Sequence, residues 1–398
     1  MNILILNVDA QPLYMGGIKR VLLTLAGQWE ECGIGVCILS QCMSDYRPNV
    51  VEGVKQFFFP FPRDMKRKEN KEVFANLINN RMIDVVLNPY IGEEELSAFA
   101  YRQKQFFPNV RFVSAYHFSP MHDIDVVQNS FFPKFYPGNI VKKWLIDAAI
   151  WIKFTMKGKR EALVRTKQRF TDAVRYSDAF VLLSDRYAEV VSEFLGSAQR
   201  LYSINNPVKM MFSHGEMDFS QKEKIVVWCG RVGYGAKRVD RMLGIWKRVA
   251  QVFPEWHCYV LGSGDIDRFS NLAKLNQIEN VHFVGHCNPN DWYERASISC
   301  MTSSVEGWPM VLLEAMSFGC VPVAYNSFEA ADEFISNGKN GYLVTPFNEA
   351  KYVEALVSLM RDEEKRQNMA TFAYQSIEKY SVNRIAKQWI KLFDTLLN

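Results

Sequence analysis

The cysteines of this chain lack any organisation. All eight are scattered, with no C-x-x-C pair and no Cys/His cluster at zinc spacing. That argues against a disulfide scaffold and against a structural zinc site. Cys258 and Cys300 lie inside apolar runs and read as plain core residues. No apolar run reaches the roughly 18 residues that a membrane span needs. The opening Met1-Asn-Ile-Leu-Ile-Leu-Asn7 is too short and too uncharged for a signal peptide, and reads as a buried strand. The formal net charge of +4 is too small to point to nucleic acid. Repeats of solenoid period and low-complexity tracts are also missing. A reduced cytoplasmic protein is expected.

What is present is a regular alternation. The 398 residues exceed one ordinary core, and two domains of about 200 residues each are expected. Ile3–Leu6, Val36–Leu39, Ile83–Leu87, Phe112–Ala115 and Ala179–Leu183 are short, wholly apolar strand candidates. Helical patterns run between them, at Ile18–Trp29, Glu93–Phe106 and Lys159–Tyr176, and Gly33 ends the first. The pattern breaks over residues 206–222 and then restarts. Ile225–Cys229, Trp256–Leu261, Val281–Val284, Ile298–Met301 and Val321–Ala324 are the later strands. Short all-apolar strands with helical crossovers imply parallel sheets covered on both faces. The fold class is therefore α/β, with two doubly wound, Rossmann-like domains facing across a cleft. Residues 1–206 form the first domain and 207–381 the second, and the helical pattern 382–398 packs back on the first. Ligands of such sheets bind beyond the carboxyl ends of the strands, so the loops after strands are the ones to inspect.

The most informative of those loops holds Glu306-Gly-Trp-Pro-Met-Val-Leu-Leu-Glu314, two carboxylates eight positions apart. Pro309 suits the first turn of a helix. Glu306 then lies in the loop before the helix and Glu314 about a turn and a half inside it. Free amides at the helix start, around Gly307, Trp308, Pro309, Met310 and Val311, would form an anion site between the carboxylates. A phosphate flanked by hydroxyl-rich sugars fits that pattern. The alternative is a structural Glu314 and a solvent-facing Glu306. Gly230-Arg231-Val-Gly-Tyr-Gly-Ala-Lys237-Arg238 follows the first strand of the second domain. Its glycines allow close approach of a ligand, and Arg231 and Lys237 bring two cations to one anion. A glycine turn with solvated basic residues is the plainer reading. Gly16-Gly17 sits at the first strand-to-helix turn, but is no dinucleotide fingerprint. His117 follows the strand Phe112–Ala115, where a structural role is as good a reading as a functional one. Asp123-Ile-Asp125 and Asp265-Ile-Asp267 have the D-x-D form, which chance supplies at this length. They read as loop or helix-start residues, and no metal is expected.

Together these residues resemble retaining glycosyltransferases of family 4, which have the GT-B fold and an E-x7-E signature. The likeness rests on Glu306 to Glu314, on Val226-Val-Trp-Cys-Gly-Arg231 with Lys237, and on Leu261-Gly-Ser-Gly264. It extends through Val281-His-Phe-Val-Gly285, through Glu314 to Ala324, and through Glu333 with Gly338 and Gly341. The first domain matches more weakly, through Gly16-Gly17, His117, Ser184 and Asn206-Pro-Val. The resemblance implies a metal-independent hexosyltransferase that uses a nucleotide-diphosphate sugar, with a UDP-sugar favoured, and no other cofactor. It implies that Arg231 and Lys237 hold the leaving diphosphate and that Glu314 binds the ribose. Glu306 would contact the donor hexose, and His117 would touch the donor sugar. Gly230, Gly262 and the helix-start amides would line the donor site, and Gly16 and Gly17 the phosphate and acceptor side. The acceptor would be a glycan or lipid-linked chain in surface polysaccharide synthesis. Two departures stand out. Tyr325–Asp332 replaces a Gly-rich stretch, and Asn205-Asn206-Pro207 replaces the usual Asn-Gly turn. A GT-B-like nucleotide-sugar 2-epimerase and a non-catalytic nucleotide-sugar-binding subunit are the rival classes.

Lys142 to Arg160 mixes cations with aromatic and aliphatic residues, and Arg165, Lys167 and Arg169 extend the charge. Lys66, Arg67 and Lys68 form a second cluster. Such composition suits a helix lying on an anionic membrane surface, so peripheral association with the inner membrane face is one expectation. A core helix with a solvated basic edge is the other.

Overall fold

The structure, a computed structural model, describes residues 1–8, 17–43, 47–129, 140–212 and 218–398, except for the side chains of 126–129 and 140–157. The chain divides into two compact units. The first comprises 1–120, 164–207 and 380–398, and the second 121–163 and 208–379. The sequence led us to expect one continuous run to residue 206, whereas the contacts group 121–163 with the second unit.

The first unit is built on eight strands: β1 (Asn2–Asn7), β2 (Gly35–Ser40), β3 (Val50–Val51), β4 (Val54–Phe58), β5 (Val85–Asn88), β6 (Arg111–Tyr116), β7 (Ala179–Leu182) and β8 (Leu201–Ser203). They lie in the order β3-β4-β2-β1-β5-β6-β7-β8, all parallel except the β3–β4 pair. Ile3, Leu4, Ile5 and Leu6 are buried on both faces of the sheet, as a continuous apolar run requires. The helix Gly17–Glu31 stops at Gly33, whose φ of +79° is open to glycine without a Cβ penalty. Trp29 on that helix meets Trp389 and Phe393 of the terminal helix Val382–Leu397 edge-on, at 6.1 and 5.6 Å. The Arg111 guanidinium of β6 donates to the Leu396 carbonyl at 2.6 Å. Burial of side chains such as Trp29 and Phe393 stabilises this seam by roughly 1.5–3 kcal/mol each.

The second unit carries six parallel strands: β9 (Glu223–Cys229), β10 (His257–Leu261), β11 (Val281–Gly285), β12 (Ala296–Met301), β13 (Val321–Tyr325) and β14 (Tyr342–Val344). Their order is β11-β10-β9-β12-β13-β14. Connections lead outward from β9 in one direction and from β12 in the other, so the chain changes direction between these two central strands. The core beneath holds Trp228, Trp246 and Trp256, all fully buried. Trp246 satisfies its indole N–H on the Glu279 carbonyl at 3.0 Å. The ten strands expected from apolar runs are all present. Those not foreseen, β3, β4, β8 and β14, are two- or three-residue edge pieces or, in β4, an apolar run interrupted by Lys55 and Gln56.

Candidate functional site

Crevices in doubly wound sheets open where the strand order reverses, here beyond the carboxyl ends of β9 and β12. Hydrogen bonding continues past the strand ends. Gly230 N–H donates to Leu261 O at 2.9 Å, Val232 N–H to Ser263 O at 2.8 Å, and Gly262 N–H to Gly285 O at 2.8 Å. These crossings are too close for side chains. A Cβ on Gly262 (φ +129°) would lie 2.1 Å from Gly230 O, and one on Gly264 (φ +139°) 2.1 Å from Val232 O. A Cβ on Gly230 would press the Lys237 stem at 3.2 Å. Gly230 therefore makes room for Lys237, and Gly262 makes room for the backbone of Gly230.

Lys237 reaches Glu306 across the two loops, Nζ to Oε1 at 2.5 Å. The Glu306 side chain is 9% exposed and that of Lys237 29%, so a nearly buried carboxylate is neutralised by a cation that still touches solvent. The loop that carries Lys237 is held from below. Arg238 adopts a left-handed conformation (φ +52°), and its buried guanidinium forks onto Asp240 at 2.9 and 2.7 Å. Thr302, just after β12, accepts from the Trp228 indole at 2.9 Å and donates to the Arg238 carbonyl at 2.9 Å. Ser304 N–H donates to Ala236 O at 2.7 Å. The β9 and β12 loops are thus laced together, and their lacing fixes the lysine against the glutamate.

Glu314 sits in the same neighbourhood. Burial pushes the Cys229 thiol up to about 11, and on this one thiol Glu314 acts to raise and Lys237 to lower. The helix that carries Glu314 is short, Met310–Met316, with Pro309 as its N-cap and not in its first turn. The array of free amides expected there is narrower than the sequence implied. Met310 N–H is taken by Trp308 O at 2.8 Å, and Leu312 and Leu313 N–H by Pro309 O at 3.0 and 3.4 Å. Among the described residues this leaves Val311 N–H as the first-turn donor without a backbone acceptor. Trp308 is buried with its ring 5.7 Å from Phe334, so its indole shapes the loop. Gly307 lies between Glu306 and Trp308 in the same buried stretch. Arg231 lies on the β9 loop with an exposed side chain. Among the described residues neither glutamate forms an ion pair with it.

A second corner lies within the first unit. His117 follows β6 and Asn206 follows β8, two strands away on the same sheet edge. Their side chains meet, Nδ1 to Oδ1 at 3.0 Å, and both are buried. Burial pulls the His117 pKa down to about 4, and the Asn206 bond opposes that only in part. The ring is neutral at physiological pH. Gly17 is the exposed first residue of its helix, and Gly16 lies outside the described residues.

Asp265 and Asp267 stand at the start of the helix Ile266–Leu275, and Asp123 and Asp125 in the first turn of His122–Asn129. Among the described residues no three His, Cys, Asp or Glu side chains group so as to hold a metal ion. The basic stretch falls on the helix Ile140–Tyr176, but its side chains from 142 to 157 lie outside the described residues. Arg160, Arg165 and Lys167 are exposed. In the second basic cluster, Arg67 pairs with Glu69 and Lys68 with Glu72. Among the described residues no helix is long and apolar enough to cross a membrane.

The sequence did not reveal Thr302, Arg238, Asp240 or the Asn206 contact. Thr302 and Arg238 are polar residues at strand and helix ends, where no period marks them. The partners of Asn206 and Lys237 lie 89 and 69 residues away in the chain.

Two parallel-sheet α/β units of this topology define a GT-B fold. The pneumococcal O-GlcNAc transferase GtfA, solved with UDP and GlcNAc, superposes with a TM-score of 0.72 over 100% of this chain and 99% of that one. At 13% identity this likeness concerns the fold alone. Residues 212–376, which lie in the second unit, match the family described as glycosyl transferases group 1. An uncharacterized glycosyltransferase of Haemophilus influenzae is 28% identical over 61% of this chain and 69% of its own length. A Campylobacter jejuni α-1,4-N-acetyl-D-galactosaminyltransferase, named for a diNAcBac-PP-undecaprenol acceptor, is 24% identical over 51% of this chain and 60% of its own. Two further relatives are matched over only 24% and 21% of their length.

Proposed function

We propose that this protein is a retaining glycosyltransferase that moves a hexosyl group from a nucleotide-diphosphate sugar to a glycan or lipid-linked acceptor. The observation that carries this reading is the Lys237–Glu306 pair at the β9/β12 switch point, with Glu314 close by. As the bond from the anomeric carbon to the phosphate breaks, negative charge grows on the departing diphosphate. Lys237 and Arg231 are the cations to meet it, and the Val311 amide adds a donor. Preplaced charge in a partly dry site stabilises that build-up without reorganisation. Glu314 receives ribose hydroxyls, and Glu306 steadies the hexose from the other end of the lysine. No group here needs a metal ion for these roles. The acceptor hydroxyl attacks on the leaving-group face and its proton passes to a phosphate oxygen, so the anomeric configuration is kept. The diphosphate moiety most in keeping with the neighbours is UDP, since the pneumococcal relative in fold was solved with it. The Campylobacter relative's lipid-linked acceptor supports the acceptor class. The exposed Arg160, Arg165 and Lys167 suit an anionic membrane face beside such an acceptor.

The test is to incubate the protein with UDP-, GDP- and ADP-sugars and follow the donor. Release of nucleoside diphosphate, increased by a lipid-linked glycan, is the expected result. An isomerised nucleotide sugar would replace this reading with an epimerase. Binding with the donor unchanged, whichever acceptor is supplied, would replace it with a binding subunit.

A further inference from the structure

The sheet of the second unit has an edge, at β10 and β11, with one face well covered and the other less so. The helix Ile266–Leu275 joins these strands and buries Phe269 and Leu272 in the core with Cys258 and Val260. The opposite face receives the one-turn helix Asn290–Tyr293, through Trp292. Side chains alternate between faces along a strand, so His257 and Tyr259 share that second face. His282 of β11 lies opposite Tyr259 in the register and joins them. His257 is half-buried and His282 exposed.

The side chains form a ladder. Arg295 lies over Trp292 at 5.5 Å, Trp292 packs on Tyr259 at 4.3 Å, and Tyr259 stacks on His282 at 4.7 Å. Arg295 is anchored by its fork onto Glu223 at 2.6 and 2.9 Å. The ladder ends on His257, whose Nδ1 stands 3.0 Å from His282 Nε2. Two ring nitrogens from neighbouring strands thus face one another at the surface.

We propose that His257 Nδ1 and His282 Nε2 form a two-nitrogen site for a divalent copper or nickel ion. This inference does not depend on the glycosyl-transfer reading. With metal–imidazole bonds of about 2.0 Å, a bite of 3.0 Å subtends roughly 97° at the ion. That is close to the right angle of a square-planar site, which suits copper and nickel, and short of the tetrahedral angle of zinc. A rotation of each ring about its Cβ–Cγ bond points both lone pairs at one ion. The hydrogen now lying between the rings passes through water to the far nitrogen of the ring that carries it, so a neutral pair binds without net proton loss. Burial and the facing His257 hold the His282 imidazole below its usual range, which favours the neutral, metal-binding form. Among the described residues no third His, Cys, Asp or Glu joins the pair, so water fills the remaining positions. A bound ion ties the outermost strand, β11, to β10 and stabilises the folded state by linkage.

The experiment is isothermal titration of the full chain, stripped by chelation, with nickel, copper and zinc salts near pH 7.5. Copper is added to Cys32→Ser, which lacks the exposed thiol that would reduce it. One ion per chain is expected, bound in the order copper, nickel, zinc from tightest to weakest. His257→Gln and His282→Gln should each weaken nickel by at least about tenfold, whereas His286→Gln should bind as the unaltered protein does. Nickel should raise the Tm of the unaltered protein and of neither pair variant. The copper resonance should be tetragonal and split by two nitrogens. Undiminished nickel affinity in both pair variants would place the ion elsewhere and overturn the site. Zinc binding tightest would overturn the right-angle geometry. Should one pair variant not fold, the other variant and the nitrogen splitting of the copper signal decide.

Discussion

The two units place opposite chemistry on the same architectural feature. At the carboxyl edge of the second sheet a lysine neutralises a nearly buried glutamate, with a second glutamate close by and an arginine exposed on the same loop. At the carboxyl edge of the first sheet a neutral imidazole leans on an amide, and burial suppresses its charge. Both sites sit on loops after parallel strands. The topology chooses the place, and the polar residue types decide whether that place is charged or neutral. A charged site needs its paired lysine anchored, which Thr302, Arg238 and Asp240 accomplish here. A neutral site needs only its hydrogen placed.

That contrast can be broken most forcefully at Lys237. Lys237→Ala should reduce donor turnover by about 100- to 1000-fold. It should also lower stability by about 2 kcal/mol, because Glu306 stays nearly buried without its cation. Urea unfolding of Lys237→Ala/Glu306→Gln should recover most of the stability and none of the turnover. A double variant as unstable as the single one would mean that the pair does not govern this edge.

The neutral corner answers to pH. The folded-state pKa of His117 lies at about 4, below its usual 6.5, chiefly through burial. The folded protein therefore binds fewer protons than the unfolded chain between those values. This contribution to stability is full above pH 6.5 and is lost as the pH falls toward 4, by about 3 kcal/mol in all. Unfolding curves for His117→Gln should lose that part of the acid sensitivity. Equal slopes for both proteins from pH 6.5 to 4.5 would show that the imidazole is not held neutral.

The smallest effect separates the two cations of the charged edge. Arg231 is exposed and laces no loop, so Arg231→Ala should leave the urea midpoint where it is. Its KM for the donor should rise about tenfold through loss of one charge-assisted contact. A large fall in stability would show that Arg231 supports the fold as Lys237 does.

Much of the fold was legible because a strand buried on both faces must be wholly apolar. Ile3–Leu6, Phe112–Ala115 and Val321–Ala324 announce themselves, whereas the edge strands β3, β8 and β14 are too short to show a period. The spacing of Glu306, Pro309 and Glu314 also placed a loop and a helix correctly within a residue or two. It overstated the free amides, since the chain turns tightly enough for Trp308 and Pro309 to satisfy three of them. It carried no sign that Gly230 serves Lys237, or that Gly262 serves the backbone of Gly230. The first is a contact within the β9 loop, and the second joins the loops after β9 and β10.

The order of apolar runs and turn residues along the chain was enough to determine two parallel α/β sheets and the loops that matter, because burial and hydrogen-bonding rules act locally and leave a periodic trace. Which charge meets which carboxylate, and which nitrogen of His117 bears the hydrogen, was decided only by folding. Pairs separated by 69 and 89 residues leave no trace in sequence spacing, and only the gathering of strand ends on one sheet edge brings their atoms within hydrogen-bond reach.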